Sequence, residues 1–191
     1  PEDMCIQPHP DVSPIKWHLG HTTWIFEKFV IENREEVGKN PFFDIVFNSY
    51  YKGVGAHWKQ GDRGEISRPT VNEILTYRKN INDILCSLIE KNDYKLEALN
   101  LAIEHEMQHQ ELMIMDIKYI LSNSLGLIEK NIFSQFRVCE ELIESEYTYL
   151  PPVNAEIGSD PKDSFCFDNE TPKHFRKINS FEISNNVTNG D

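Results

Sequence analysis

His105 and His109 are the two residues of this chain best placed to do chemistry. Side chains four apart on a helix stand about 6 Å apart along the axis and roughly 40° apart around it, so both imidazoles can reach one metal ion. Within His105-Glu106-Met107-Gln108-His109 the spelling also permits Glu106 to act as general base on a metal-bound water. Either chemistry needs a third ligand. His18 and His21 are the candidates, both inside Trp17-His18-Leu19-Gly20-His21-Thr22-Thr23-Trp24. Each reads equally as a core histidine packed on Trp17 or Trp24, and helical spacing alone does not choose between them. Glu106, Glu111 and Asp116 can serve as outer acceptors that set ring tautomers. His9, His57 and His174 lie in proline-rich, loop or strand-like stretches and read as surface residues.

The elements that must position these groups are legible from capping and periodicity. Residues 1–12 carry three prolines and read as an extended lead-in. Ser13-Pro14 reads as an N-cap serine with proline at the first helical position, opening a helix to about Glu32. Residues 33–69 form a long connection rich in glycine and aromatics, which is expected to be packed and functional. Thr70 with Glu73 spells a capping box, and Ile74, Tyr77, Ile81, Ile84, Leu85 and Leu88 give the helical period to about Glu90. Asn92-Asp93 is a turn signal. A third helix is expected from about Lys95 to Ser122, with Leu101, His105, His109, Leu112 and Asp116 on a stripe facing a bundle interior. Three amphipathic helices, with a fourth expected outside the chain as it stands, predict a mainly α antiparallel four-helix bundle. After Gly126 the texture changes. From Val153 onward, short alternating runs (Phe165–Phe167, Phe175–Ile178, Phe181–Ile183) read as β structure following the break at Pro151-Pro152.

Composition limits the function classes. At 191 residues with 39% hydrophobic content the chain can fill one full domain and part of another. A net charge of -12 argues against nonspecific nucleic-acid or anionic-membrane partners. No run of 18 apolar residues predicts a membrane span, and the start does not read as a secretory signal. Cys5, Cys86, Cys139 and Cys166 form no CxxC pair, which fits a reducing cytoplasm. Both ends read as cut, so a piece of a longer protein is expected. The zinc-protease reading of HExxH is the weaker one. In that class the motif helix follows a sheet whose edge holds the peptide, whereas helices and an aromatic loop precede it here.

Four strings in order resemble one family. They are Ser13-Pro14-Ile15-Lys16-Trp17-His18-Leu19-Gly20-His21-Thr22-Thr23-Trp24, then Phe47-Asn48-Ser49-Tyr50-Tyr51 with Val54-Gly55, then Arg63-Gly64-Glu65-Ile66-Ser67-Arg68-Pro69-Thr70-Val71, and His105 to Leu112 with Asp116-Ile117-Lys118. Together they look like the N-terminal DinB-like domain of the ergothioneine-biosynthesis sulfoxide synthases, or hercynine oxygenases. The tail is similar to the opening of a formylglycine-generating-enzyme-like (sulfatase-modifying-factor) domain of α+β, C-type-lectin-like fold. It does so through Glu156–Asp160, Phe165–His174 and Val187–Asp191.

The resemblance implies a mononuclear non-haem iron(II) held by His21, His105 and His109, which selects His21 over His18. It implies oxygen-dependent joining of a thiol (γ-glutamylcysteine or cysteine) to the imidazole of Nα-trimethylhistidine as a sulfoxide. Neutral imidazoles suit Fe(II), and three protein ligands leave positions open for substrates. Glu106 would then be an orienting or surface residue. Arg63 and Arg68 are candidates to hold a substrate carboxylate by a bidentate contact, or equally to anchor their loop through salt bridges. The implied organisation is a metal-binding bundle over 1–132, a linker over 133–152, and an incomplete sulfatase-modifying-factor-like domain over 153–191. Catalytic residues are expected in the missing part. Two other functions are open: a DinB-like thiol transferase using Zn(II) or Ni(II) at the same histidines, and a non-catalytic metal-binding bundle. The tail argues against the transferase.

Overall fold

Pro14 cannot donate a backbone hydrogen bond, and its carbonyl starts the first helix by accepting from the amides of Trp17 (2.8 Å) and His18 (3.2 Å). Helix α1 therefore spans Ile15–Ile25 and continues as a π-helical turn, Phe26–Ile31. The computed structural model describes residues 2–31, 40–50, 53, 55–122 and 146–185. The expected helix end at Glu32, residues 133–145 of the linker and the Val187–Asp191 string lie outside these. The chain divides into two compact units, Pro1–Glu129 and Lys130–Asp191. The described residues are mainly helical, with their strands in the C-terminal part.

Ser13 does not cap α1, contrary to the N-cap reading of Ser13-Pro14. Its hydroxyl accepts from Arg63 Nη1 at 2.8 Å instead, because Pro14 stands at the cap position. Ten of the eleven residues of α1 are buried. A helix buried around nearly its whole circumference needs cover on several sides. Helix α3 (Val71–Glu90) and helix α4 (Leu96–Ser122) both pack on α1. The long connection covers another side. Within it Asn40 caps the short helix α2 (Pro41–Val46) by accepting from the Phe42 amide at 3.1 Å. The next residues, Phe47 and Asn48, are almost fully buried. Trp17 Nε1 donates to the Val46 carbonyl at 2.8 Å, and the buried Lys16 Nζ donates to the Ile66 carbonyl at 2.6 Å. These bonds satisfy polar groups that burial would otherwise penalise. They also tie the connection to α1.

Gly20 shows how close the approach is: a Cβ there would overlap the Phe47 ring. The capping box at α3 forms as the sequence predicts. Glu73 takes the Thr70 amide at 2.7 Å, and Thr70 Oγ1 takes the Glu73 amide at 3.3 Å. Helix α4 departs from the expected stripe. Leu101 and Leu112 are both 38% exposed, and only Ala102 and Asp116 of this helix are buried among the described residues. One side of α4 packs on α1 and the π-helical turn, so the bulk of its apolar surface lies away from that contact.

In the second unit strand β1 (Tyr147–Leu150) pairs antiparallel with β4 (Phe181–Ser184), and β2 (Val153–Ile157) with β3 (His174–Ile178). The register passes from Leu150↔Phe181 to Val153↔Ile178, advancing three residues on one strand and retreating three on the other. The two ladders are one two-stranded arm. Pro151 and Pro152 interrupt it because neither has an N–H for the ladder. Gly158, at φ +91°, ends β2 where a Cβ would press on the Pro172 carbonyl. Phe165–Phe167, expected as a strand, has no ladder partner among the described residues. It lies in the connection between β2 and β3, with the two rings edge-to-face at 5.1 Å. Among the described residues no helix is long and apolar enough to cross a membrane.

Candidate metal centre

Three imidazoles from two helices meet in one cavity of the first unit. His21 comes from α1; His105 and His109 come from successive turns of α4. One nitrogen of each lies within 4.8 Å of the others. The cavity is about 460 Å³ and is walled by these three together with Trp17, His18, Arg63 and Asp116, among others.

Each ring is held by its surroundings. His21 is 1% exposed, and its Nδ1 lies 2.6 Å from the Phe47 carbonyl oxygen. A carbonyl only accepts, so Nδ1 carries the proton and Nε2 the lone pair. That Nε2 stands 3.3 Å from His105 Nε2. The separation is about that of two nitrogens sharing one ion at bonds of about 2.0–2.1 Å with tetrahedral angles. Trp17 stacks on His21 with centroids 4.5 Å apart and planes 14° apart, which fixes the plane of the ring. His105 Nδ1 is buried and has no hydrogen-bond partner among the described residues.

Burial keeps the cluster uncharged. It pushes His105 down to about 4, and pushes His109 down to about 3 with help from His105, His18 and Arg63 nearby. Burial and then His109 and His105 hold His21 well below the ordinary imidazole range. All three rings are thus neutral at pH 7, the form in which imidazole binds a metal. No carboxylate belongs to the trio. An all-imidazole set suits zinc, iron, nickel or copper over magnesium or calcium.

The remaining candidates separate cleanly. His18, the alternative third ligand, is outside the trio and is engaged at both ring nitrogens, with His109 and with Asp116. Arg63 lies in the cavity wall, 5% exposed, with its guanidinium 3.5 Å over the Trp17 ring. Burial lowers it to about 10, which leaves it charged at neutral pH, and its Nε has no partner among the described residues. Arg68 does not join it. Its side chain is exposed, Nη1 donates to the Ser67 carbonyl at 3.0 Å, and it is absent from the cavity wall. The reason is local: the 3-10 turn Gln60–Glu65 carries Arg63 inward, and the chain has left that turn by residue 68.

Glu106 is also absent from the wall. It is ion-paired with Arg78 of α3, which also donates to Thr22 Oγ1 at 3.0 Å. A carboxylate tied to a guanidinium between helices is not placed as a base for water in this cavity. Among the predicted surface histidines, His57 lies in the cavity wall. His9 caps its own turn by accepting from the Asp11 amide at 3.2 Å, and His174 Nδ1 bonds the Pro172 carbonyl at 2.8 Å.

The family model described as the DinB superfamily matches residues 1–113, a span that includes His21, His105 and His109. No curated protein matches the chain.

Proposed function

The chain belongs to the DinB superfamily, whose model covers more than half of it, and from that we propose that the first unit holds one iron(II) ion through His21, His105 and His109. We propose further that it is the metal-binding part of an oxygen-dependent sulfoxide synthase, joining a thiol to the imidazole of Nα-trimethylhistidine. The carrying observation is the convergence of three neutral imidazoles, without a carboxylate, on one cavity. Bound there, iron(II) would supply oxygen activation and a seat for a thiolate.

The chain's own residues prepare the rest. The Phe47 carbonyl and the Trp17 ring hold His21 in one tautomer and one plane. Arg63 offers a fixed positive charge in the same wall, suited to an anionic substrate group. The four sequence strings that resemble the sulfoxide synthases support the choice of reaction.

Anaerobic titration with Fe(II) tests the metal. A tight equimolar complex is expected, lost in His105→Ala; unchanged affinity in that variant overturns the three-histidine site. Oxygen uptake by the full-length gene product with Nα-trimethylhistidine and γ-glutamylcysteine tests the reaction. Binding of Fe(II) with no oxygen uptake rejects the sulfoxide synthase and leaves a DinB-like thiol transferase, assayed with Zn(II) or Ni(II), as the next reading.

A further inference from the structure

His18 is 3% exposed, with a backbone contact to Ser13 and two side-chain partners. Its Nδ1 is 2.7 Å from His109 Nδ1, and its Nε2 is 3.2 Å from Asp116 Oδ2. Asp116 is itself buried, at 4% exposure. An ionised carboxylate only accepts hydrogen bonds, so the proton between these two belongs to His18 Nε2. A neutral imidazole has one N–H, so His18 Nδ1 is left as an acceptor. The proton in the 2.7 Å contact must then come from His109 Nδ1. One carboxylate thereby settles the tautomers of two rings in sequence, and His109 Nε2 keeps its lone pair.

We propose that the Asp116–His18 pair is a positioning device that holds His109 as its Nδ1–H tautomer and so makes Nε2 its metal-binding nitrogen. The proposal rests on the metal reading above. Phe47 does the same for His21 through a single carbonyl. His109 has no backbone acceptor at that nitrogen among its described contacts, and a histidine imported from α1 takes the place of one. Outer acceptors of this kind orient metal-binding histidines and raise their basicity. His18 would then have been a plausible third ligand by sequence because it stands one turn from His21 on the same helix. Its role in the structure is one shell further out.

Three variants test this: His18→Leu, His18→Asn and Asp116→Asn. Leucine fills the space without an acceptor. Asparagine at 18 puts an amide oxygen where Nδ1 stands. Asparagine at 116 keeps the shape but can donate, which removes the obligation on His18. Two readouts are used: Co(II) affinity, followed by the d–d spectrum, and the His109 tautomer in metal-free protein, by long-range ¹H–¹⁵N NMR.

In the wild type, His109 is expected as Nδ1–H. In His18→Leu and Asp116→Asn, Co(II) binding should weaken about 10–100-fold and the tautomer should shift toward Nε2–H. His18→Asn should recover both. A role in packing alone predicts the reverse order, since leucine fills the site better than asparagine. Wild-type His109 found as Nε2–H, or a tautomer and affinity unmoved by His18→Leu, overturns the proposal. Failure of the wild type to bind Co(II) at all overturns the metal reading instead, and the metal-free tautomer distinguishes the two failures.

Discussion

The Phe47 carbonyl accepts the Nδ1 proton of His21 at 2.6 Å, across 26 residues of chain. A loop outside α1 thus decides which nitrogen of an α1 histidine faces the cavity. The loop can do so because Phe47 lies against Gly20, the residue before His21, where a side chain would leave no room.

Gly20→Ala is therefore expected to damage both packing and site. The new methyl overlaps the ring of Phe47, which is 1% exposed and cannot swing away freely. Overpacking of this kind costs about 1–3 kcal/mol. Displacing Phe47 also moves the acceptor from His21. A urea titration should show the loss of stability, and a Co(II) titration should show weaker binding. A variant with wild-type values for both would mean that the ring relaxes without moving its carbonyl.

The two arginines five residues apart should behave differently. Arg63 lies over Trp17 and donates to Ser13 from a buried position, so Arg63→Ala should cost about 1–3 kcal/mol. Arg68 is exposed and bonds only the neighbouring Ser67 carbonyl among its described contacts, so Arg68→Ala should stay within about 0.5 kcal/mol. Thermal unfolding of the pair, at matched protein concentration, measures the contrast. Equal effects would contradict it.

Metal-free protein should lose stability on acidification below pH 6.5. In the unfolded chain a histidine takes up its proton near 6.5. In the folded chain burial holds His18 and His105 at about 4 and His109 at about 3, with His21 also depressed. Between those values the unfolded chain binds more protons, so lowering the pH favours it. The contribution is complete above 6.5 and falls away as pH drops through the folded values. Asp116, raised by burial, acts in the opposite sense, one group against four. Urea midpoints at pH 7, 5.5 and 4.5 should decline in that order, and a flat series would contradict the burial of the cluster.

Glu106→Gln is expected to leave metal binding near the wild-type value. Its carboxylate serves Arg78 between α3 and α4 and lies outside the cavity wall. The cost should appear as stability, about 1–3 kcal/mol for a hydrogen bond between charged groups that are partly buried. Calorimetric unfolding together with a Co(II) titration separates the two effects. A large fall in metal affinity with no change in stability would return Glu106 to the site.

The sequence by itself determined the local features: the capping box of Thr70 and Glu73, the helical period of α3, the start of α1 within one residue, and the two imidazoles of α4 on neighbouring turns. Each depends on groups within about four residues of one another, where backbone geometry is known in advance. Whether His18 or His21 completes the cluster was not readable from spacing. The two stand about one turn apart on α1, and only the register of α1 against α4 sets which ring meets His105 and which meets Asp116. That register comes from long-range packing, in which Gly20 admits Phe47 and the buried α1 is gripped by α3, α4 and the connection. The same reason gives Ser13 to Arg63 instead of the helix end and hands Glu106 to Arg78. In each case the partner lies far away in sequence, so the role of the residue existed only once the chain had folded.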